Sequence, residues 1–256
     1  MKYGFCGNAA KAALLAPGTI DYVELNLTNI SGMSDEDLKK ASADLAAIGV
    51  PAEATNCFFP KTIRLCGRDY NRETVAEYSK AALDKAARLG VHTCVLGSGG
   101  SRNVDEGENF DACMKQFEEV LWTVGEAAKE YGTIVVIEPL NKKETNIINT
   151  VGEGAVLCRR VNHPNVKLLA DIYHVALAEE PMTNLSDNGD ILRHVHIAYV
   201  DGRTAPMPTD SYDYAAVKKA LDDAKYDLRI SIEGKIQGDF AETMTNSIAY
   251  LRTIFG

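Results

Sequence analysis

Four apolar runs in this chain each lead to a side chain that binds cations or protons. "TIVVIEPL" (133–140) carries Glu138, "VKLLAD" (166–171) ends in Asp171, "RHVHIAY" (193–199) carries His196 and "RISIEG" (229–234) carries Glu233. Residues two apart on a strand share a face. Ile134 and Val136 therefore lie with Glu138, Lys167 and Leu169 with Asp171, His194 with His196, and Arg229 and Ser231 with Glu233. Three carboxylates and one imidazole, without a thiolate, suit one hard or borderline divalent ion: Mn²⁺ first, then Mg²⁺ or Co²⁺. Buried together without a cation, the carboxylates would repel one another and lose hydration. Each residue also has a plainer reading. Glu138 before Pro139 could be a solvated strand end. Asp171 could cap a helix, although Ile172-Tyr173 does not look like a first helical turn. His194, one layer deeper than His196, reads as a core histidine. The shared position at strand ends favours a joint site.

The elements that must position these residues alternate along the whole chain. Further strand candidates are 2–6, 21–27, 51–59 and 92–98, which makes eight. Amphipathic segments separate them: 34–49, opened by Ser34 and Asp37 and stopped by Gly49, then 72–90, 109–132 and 239–255. The segment between the sixth and seventh strands, "VALAEEPMTNLSDNGD", is a weak helix with Pro181 near its start. Dividing 256 residues by eight leaves 32 for each strand, loop and helix. Such alternation predicts an α/β fold, a single (β/α)8 TIM barrel over residues 1–256, with its site at the C-terminal ends of the strands. The competing open, doubly wound sheet wants a GxGxxG turn, and the nearest stretch, "GSGGSR" (97–102), lacks that spacing.

Composition narrows the function. Hydrophobic residues at 46% supply a full core, and a net charge of −9 argues against a nucleic-acid partner, which needs a basic face. The six cysteines form no CxxC pair; Cys6, Cys57 and Cys94 fall in the strand candidates, and all six are read as free thiols of a cytoplasmic protein. The N-terminal apolar stretch is broken by Lys11 and ended by Pro17, so neither a signal peptide nor a membrane span is expected. Barrels of this size often pair through outer helices, so a homo-oligomer, dimer or tetramer, is the expectation.

In "IEPLN" (137–141), "DIYH" (171–174), "HVHIAYVDGR" (194–203) and "SIEG" (231–234) the chain resembles the xylose isomerase-like barrel superfamily of sugar (phosphate) isomerases and epimerases. It is nearest in motif to ketose 3-epimerases and hydroxypyruvate isomerases. The resemblance implies one divalent metal on Glu138, Asp171, His196 and Glu233. It further implies that His174 and Arg203 contact substrate oxygens and that Glu144 positions substrate. Arg203 follows His196 later than in the ketose 3-epimerases, and "GSGGSRNVDEG" replaces a bulkier loop; both departures fall where substrate is selected. The implied reaction is proton transfer through a metal-bound enediolate of a ketose, keto-acid or sugar phosphate, with Glu138 and Glu233 as base and acid. Gly99 and Gly100 with Arg102 form either an anion-binding loop or a plain βα connection. A metal-dependent lyase or dehydratase acting on a keto-sugar or keto-polyol would use the same site. An apurinic endonuclease-like nuclease is the remote alternative, since it needs several more histidines than the five present.

Overall fold

The computed structural model describes residues 1–256. Eight parallel strands close in chain order: β1 Lys2–Gly7, β2 Tyr22–Asn26, β3 Ala52–Asn56, β4 Thr93–Leu96, β5 Ile134–Ile137, β6 Val166–Asp171, β7 Leu192–Ile197 and β8 Arg229–Ile232. β8 returns to β1 through the register Lys2↔Arg229 to Phe5↔Ile232. This is the expected (β/α)8 TIM barrel. Its helices start where their capping chemistry predicts. Ser34 and Asp37 form a capping box at Asp35–Ile48, and Gly49 ends that helix in the left-handed region at φ 68. Asn71, Asn109 and Asp239 cap Arg72–Arg88, Phe110–Glu130 and Phe240–Phe255. No helix is long and apolar enough to cross a membrane.

Several strands are shorter than the sequence reading. β3 stops at Asn56 because Cys57 takes φ 52, so this cysteine is an exposed loop residue and not a strand residue. β5 and β8 stop at Ile137 and Ile232, leaving Glu138 and Glu233 one residue beyond. Their amides nevertheless continue the ladder, Glu138 N donating to Leu96 O at 3.2 Å and Glu233 N to Ile197 O at 3.1 Å. Both side chains thus keep the direction of the strand. The weak stretch between β6 and β7 becomes two short helices, Ile172–Leu177 and Thr183–Ser186, with Pro181 between them. Proline lacks the N–H that a continuous helix would need.

Strand alternation divides the interior. Outward residues such as Val23, Val135, Leu168 and Ile230 join one large core beneath the helices. Inward residues Val95, Val136 and Leu169 form a small apolar layer inside the barrel. The lower rim is ionic: Glu53 accepts from Lys2 and from Arg229 Nε at 2.8 Å, and Arg229 Nη2 reaches His92. The apolar layer therefore separates two charged ends. Leu169→Ala should cost about 2–5 kcal/mol, because the packed lumen cannot collapse around the lost volume. Leu14→Ala, at a side chain 57% exposed, should stay within about 0.5 kcal/mol. Urea unfolding of both variants is the measurement, and equal midpoints would contradict the packed layer.

Candidate active site at the barrel mouth

Parallel pairing brings the four strand-end residues together. Asp171 is in register with His196, and His196 with Ser231 two residues before Glu233. His196 Nδ1 lies 3.3 Å from Glu138 Oε1 and 3.4 Å from Glu233 Oε2. One ligand atom from each of Glu138, Asp171, His196 and Glu233 lies within 4.8 Å of every other. Glu138 is seated by Gly97, where a Cβ would overlap its Oε2. The first glycine of "GSGG" thus serves close approach to a carboxylate. Asp171 does cap the helix that follows it, contrary to the sequence reading: Oδ1 accepts from Tyr173 N at 3.0 Å. Its other oxygen, Oδ2, faces the cluster. One carboxylate performs both tasks because its two oxygens point apart.

The cluster holds more acceptors than fixed donors. Burial and the carboxylates of Glu233 and Glu138 push Asp171 up to about 7. Burial and Glu233 likewise raise Glu138. On Glu233 burial opposes the charge, but His196 and Arg203 outweigh it and hold the group down to about 2. On His196 burial is outweighed by Glu24 and Glu233, and the imidazole is raised well above its ordinary value. With that proton in place, Nδ1–H donates to Glu138 Oε1 and its charge faces Glu233. Without it, the same nitrogen turns a lone pair toward the same oxygens, which a cation can satisfy. Three carboxylates and an imidazole with no sulfur fit one hard or borderline dication.

Glu24 was missed by the sequence reading, which looked only at strand ends. It is fully buried on β2, beneath the cluster, accepting from His196 Nε2 at 2.9 Å, His194 Nε2 at 2.7 Å and Ser231 Oγ at 2.5 Å. The available signal was Glu24 itself, a carboxylate set between Val23 and Leu25 inside the strand candidate "DYVELNL". His194 is the deeper, buried histidine that was expected, held by this same carboxylate.

Around the four donors lie the residues implied to contact substrate. His174 is buried, and its Nδ1 accepts from Asn141 N at 3.2 Å and Asn141 Nδ2 at 3.0 Å. Burial, then Arg203, lower its pKa to about 3, so the ring is neutral and the remaining nitrogen, Nε2, carries the hydrogen. That N–H has no hydrogen-bond partner. Arg203 takes φ 53 and donates from Nη2 to Asp171 Oδ2 at 3.1 Å and Glu233 Oε2 at 2.5 Å. Its guanidinium lies over the Tyr173 ring at 4.6 Å, and Nη1 approaches Glu144 Oε1 at 3.4 Å. A cavity of about 770 Å³ opens above, lined by Glu138, Glu233, Arg203, Glu144, Gly99 and Gly100 among others.

Arg102 does not join Gly99 and Gly100 at that cavity. The segment Gly99–Arg102 coils into a short helix that turns Arg102 into the protein, fully buried, with Nη2 donating to Glu138 O at 2.8 Å. Its guanidinium also rests 5.7 Å from the Phe117 ring. Arg102 therefore supports the backbone of Glu138 and does not assist an anion-binding loop.

Residues 13–254 match the family model described as xylose isomerase-like TIM barrel. Among curated proteins, 3-dehydro-D-guloside 4-epimerase of Escherichia coli is 30% identical over 147 residues, 57% of this chain and 55% of that relative. The chain thus spans about half the length of that protein. Ketose 3-epimerase of Arthrobacter globiformis is 27% identical over 258 residues, 99% of this chain and 76% of its own. The crystal structure of D-psicose 3-epimerase in the presence of D-fructose superposes with a TM-score of 0.90 at 20% identity, covering 100% of both chains, which is a likeness of fold.

The charge state of the cluster makes cation binding depend on pH. Burial and neighbouring charges raise Asp171 to about 7 and also raise Glu138 and His196, so a cation at this cluster would compete with protons the more strongly the lower the pH. Affinity for Mn²⁺ should therefore fall as pH falls, by about tenfold or more between pH 7.5 and 5.5. Titration calorimetry at the two pH values checks this; equal affinity would mean that other groups bind the ion.

Proposed function

The chain belongs to the xylose isomerase-like TIM-barrel family, and on that premise we propose that it is a divalent-metal-dependent sugar isomerase or epimerase. Its substrate would be a ketose, keto-acid or sugar phosphate. The observation that carries this reading is the convergence of Glu138, Asp171, His196 and Glu233 beside the unpartnered Nε2–H of His174. The names of the relatives, a 4-epimerase of a dehydro-guloside and a 3-epimerase of ketoses, support it.

The four clustered residues would hold the ion, Mn²⁺ by preference. When bound, it polarises the substrate carbonyl and stabilises the negative charge that develops on oxygen. The carbon next to that carbonyl is then acidic enough for a carboxylate to take its proton. Glu138 and Glu233 stand on β5 and β8, three strands apart around the barrel, so they approach the lumen from different sides. One takes the proton from one face of the carbon, and the other, carrying a proton drawn from solvent, delivers that proton to the opposite face, which inverts the centre. A 1,2-isomerisation needs only one of them.

His174 supplies a neutral N–H donor to a substrate oxygen, preset by its two bonds from Asn141. Arg203 offers a planar fork of donors, placed by its stacking on Tyr173, and Glu144 positions hydroxyl groups at the rim. Lyase or dehydratase chemistry would share this proton abstraction and part only at the fate of the neighbouring hydroxyl. Against a nuclease with a histidine-rich metal cluster stand His92 on the lower rim and His163, which pairs with Glu126 outside the barrel at 2.8 Å.

Glu233→Gln keeps the shape of the side chain and removes its basicity. Turnover should fall about 10²–10⁴-fold with the thermal midpoint nearly unchanged; undiminished turnover would exclude an acid/base role. Incubation of the Mn²⁺-loaded protein with ketoses, keto-acids and their phosphates in D₂O should place deuterium at the carbon beside the carbonyl. Unlabelled product would exclude the proton-transfer route, and loss of a hydroxyl from labelled product would identify the lyase.

A further inference from the structure

We propose that Glu24 is a positioning residue: it anchors Nε2 of His196, aims Nδ1 at the cavity, and so sets the site's affinity for its cation. This inference rests on the metal-dependent reading above.

Glu24 is fully buried, and two imidazole nitrogens and one hydroxyl converge on its two oxygens within hydrogen-bond distance, the setting of a carboxylate that accepts. An ionised carboxylate only accepts, so each of its three close partners must donate. Oε1 takes the Nε2–H of His196, and Oε2 takes His194 Nε2–H and Ser231 Oγ–H. The Ser231 hydroxyl then has a lone pair left for Tyr22 Oη, 2.6 Å away. The chain of donors runs one way, from Tyr22 through Ser231 to Glu24. Those donors occupy Oε2 and leave Oε1 to His196, and it is Oε1 that holds the imidazole hydrogen at Nε2; with a cation in place of the other ring proton the lone pair is at Nδ1. Cys6 also lies near Glu24 and His196, but a cation held there through Nε2 would have to break the Glu24–His196 bond.

Glu24→Gln tests the orientation directly. The amide oxygen can keep the two donors His194 and Ser231, which turns the NH₂ group toward His196. Nε2 must then accept, the hydrogen moves to Nδ1, and the cation loses a ligand. Mn²⁺ affinity should weaken about 10–100-fold, as for other partners of ligating histidines. Ser231→Ala is the comparison: it loosens the same buried network but leaves the Glu24–His196 bond, so affinity should stay within about twofold of wild type even if the thermal midpoint drops. Wild-type affinity in Glu24→Gln overturns the proposal, as does an equal loss in Ser231→Ala, which would reveal general loosening. If Glu24→Gln does not fold, ¹⁵N spectra of histidine in the ¹¹³Cd-loaded wild type decide: cadmium coupling to Nδ1 of His196 supports the proposal and coupling to Nε2 overturns it. Wild-type protein that binds neither ion defeats the metal-dependent reading itself, and this inference with it.

Discussion

An excess of buried acceptors over donors governs this structure. Four carboxylates meet two imidazoles within the upper half of one barrel; Glu24, Glu138 and Asp171 are buried, and Glu233 is partly exposed at the cavity. The chain resolves the lower part with hydrogen bonds. Glu24 takes three donors and is closed off. The upper part is resolved only by shared protons and by Arg203, which spans Asp171 and Glu233. Those protons and that guanidinium are exchangeable, whereas the floor is not. A cluster with the geometry of a possible dication site is therefore built on a floor whose hydrogen bonds are closed.

The surrounding structure is arranged to hold that imbalance in place. Charges at the lower rim, around Glu53, are separated from the mouth by the layer of Val95, Val136 and Leu169. Backbone contacts do the rest. Gly97 leaves room for the Glu138 carboxylate, and a Cβ on Gly99 would press on the carbonyl of Glu144 at 2.6 Å. Arg102 grips the Glu138 carbonyl from behind, and Lys235 N bonds the Arg203 carbonyl at 2.7 Å. Loops that carry chemistry are thus tied to strand ends, where parallel pairing fixes position most tightly.

Much of this was legible from residue types alone. The helix cap at Ser34 acts locally, through a side chain reaching the amide three residues on, so it can be read without knowing the fold. The convergence of Glu138, Asp171, His196 and Glu233 followed from the two-residue alternation of strands. The place of Arg102, left open between an anion loop and a plain βα connection, was not legible because its loop coils into a short helix, and the direction of a side chain after such a turn depends on packing against Phe117 and β5. Asp171 was underestimated as a cap, since Ile172 and Tyr173 are poor helix formers that tertiary packing holds helical nonetheless.

The sequence by itself determined the eightfold alternation, the barrel, and the four donors at its mouth, because periodicity and capping are short-range properties of neighbouring residues. Only the tertiary structure decided what lies beneath and between them. Glu24 is 172 positions from His196 and Asn141 is 33 from His174, yet each meets one ring nitrogen of its histidine and leaves the other facing the cavity. Such pairings arise when a closed sheet brings distant strands to one level, and no local pattern encodes them.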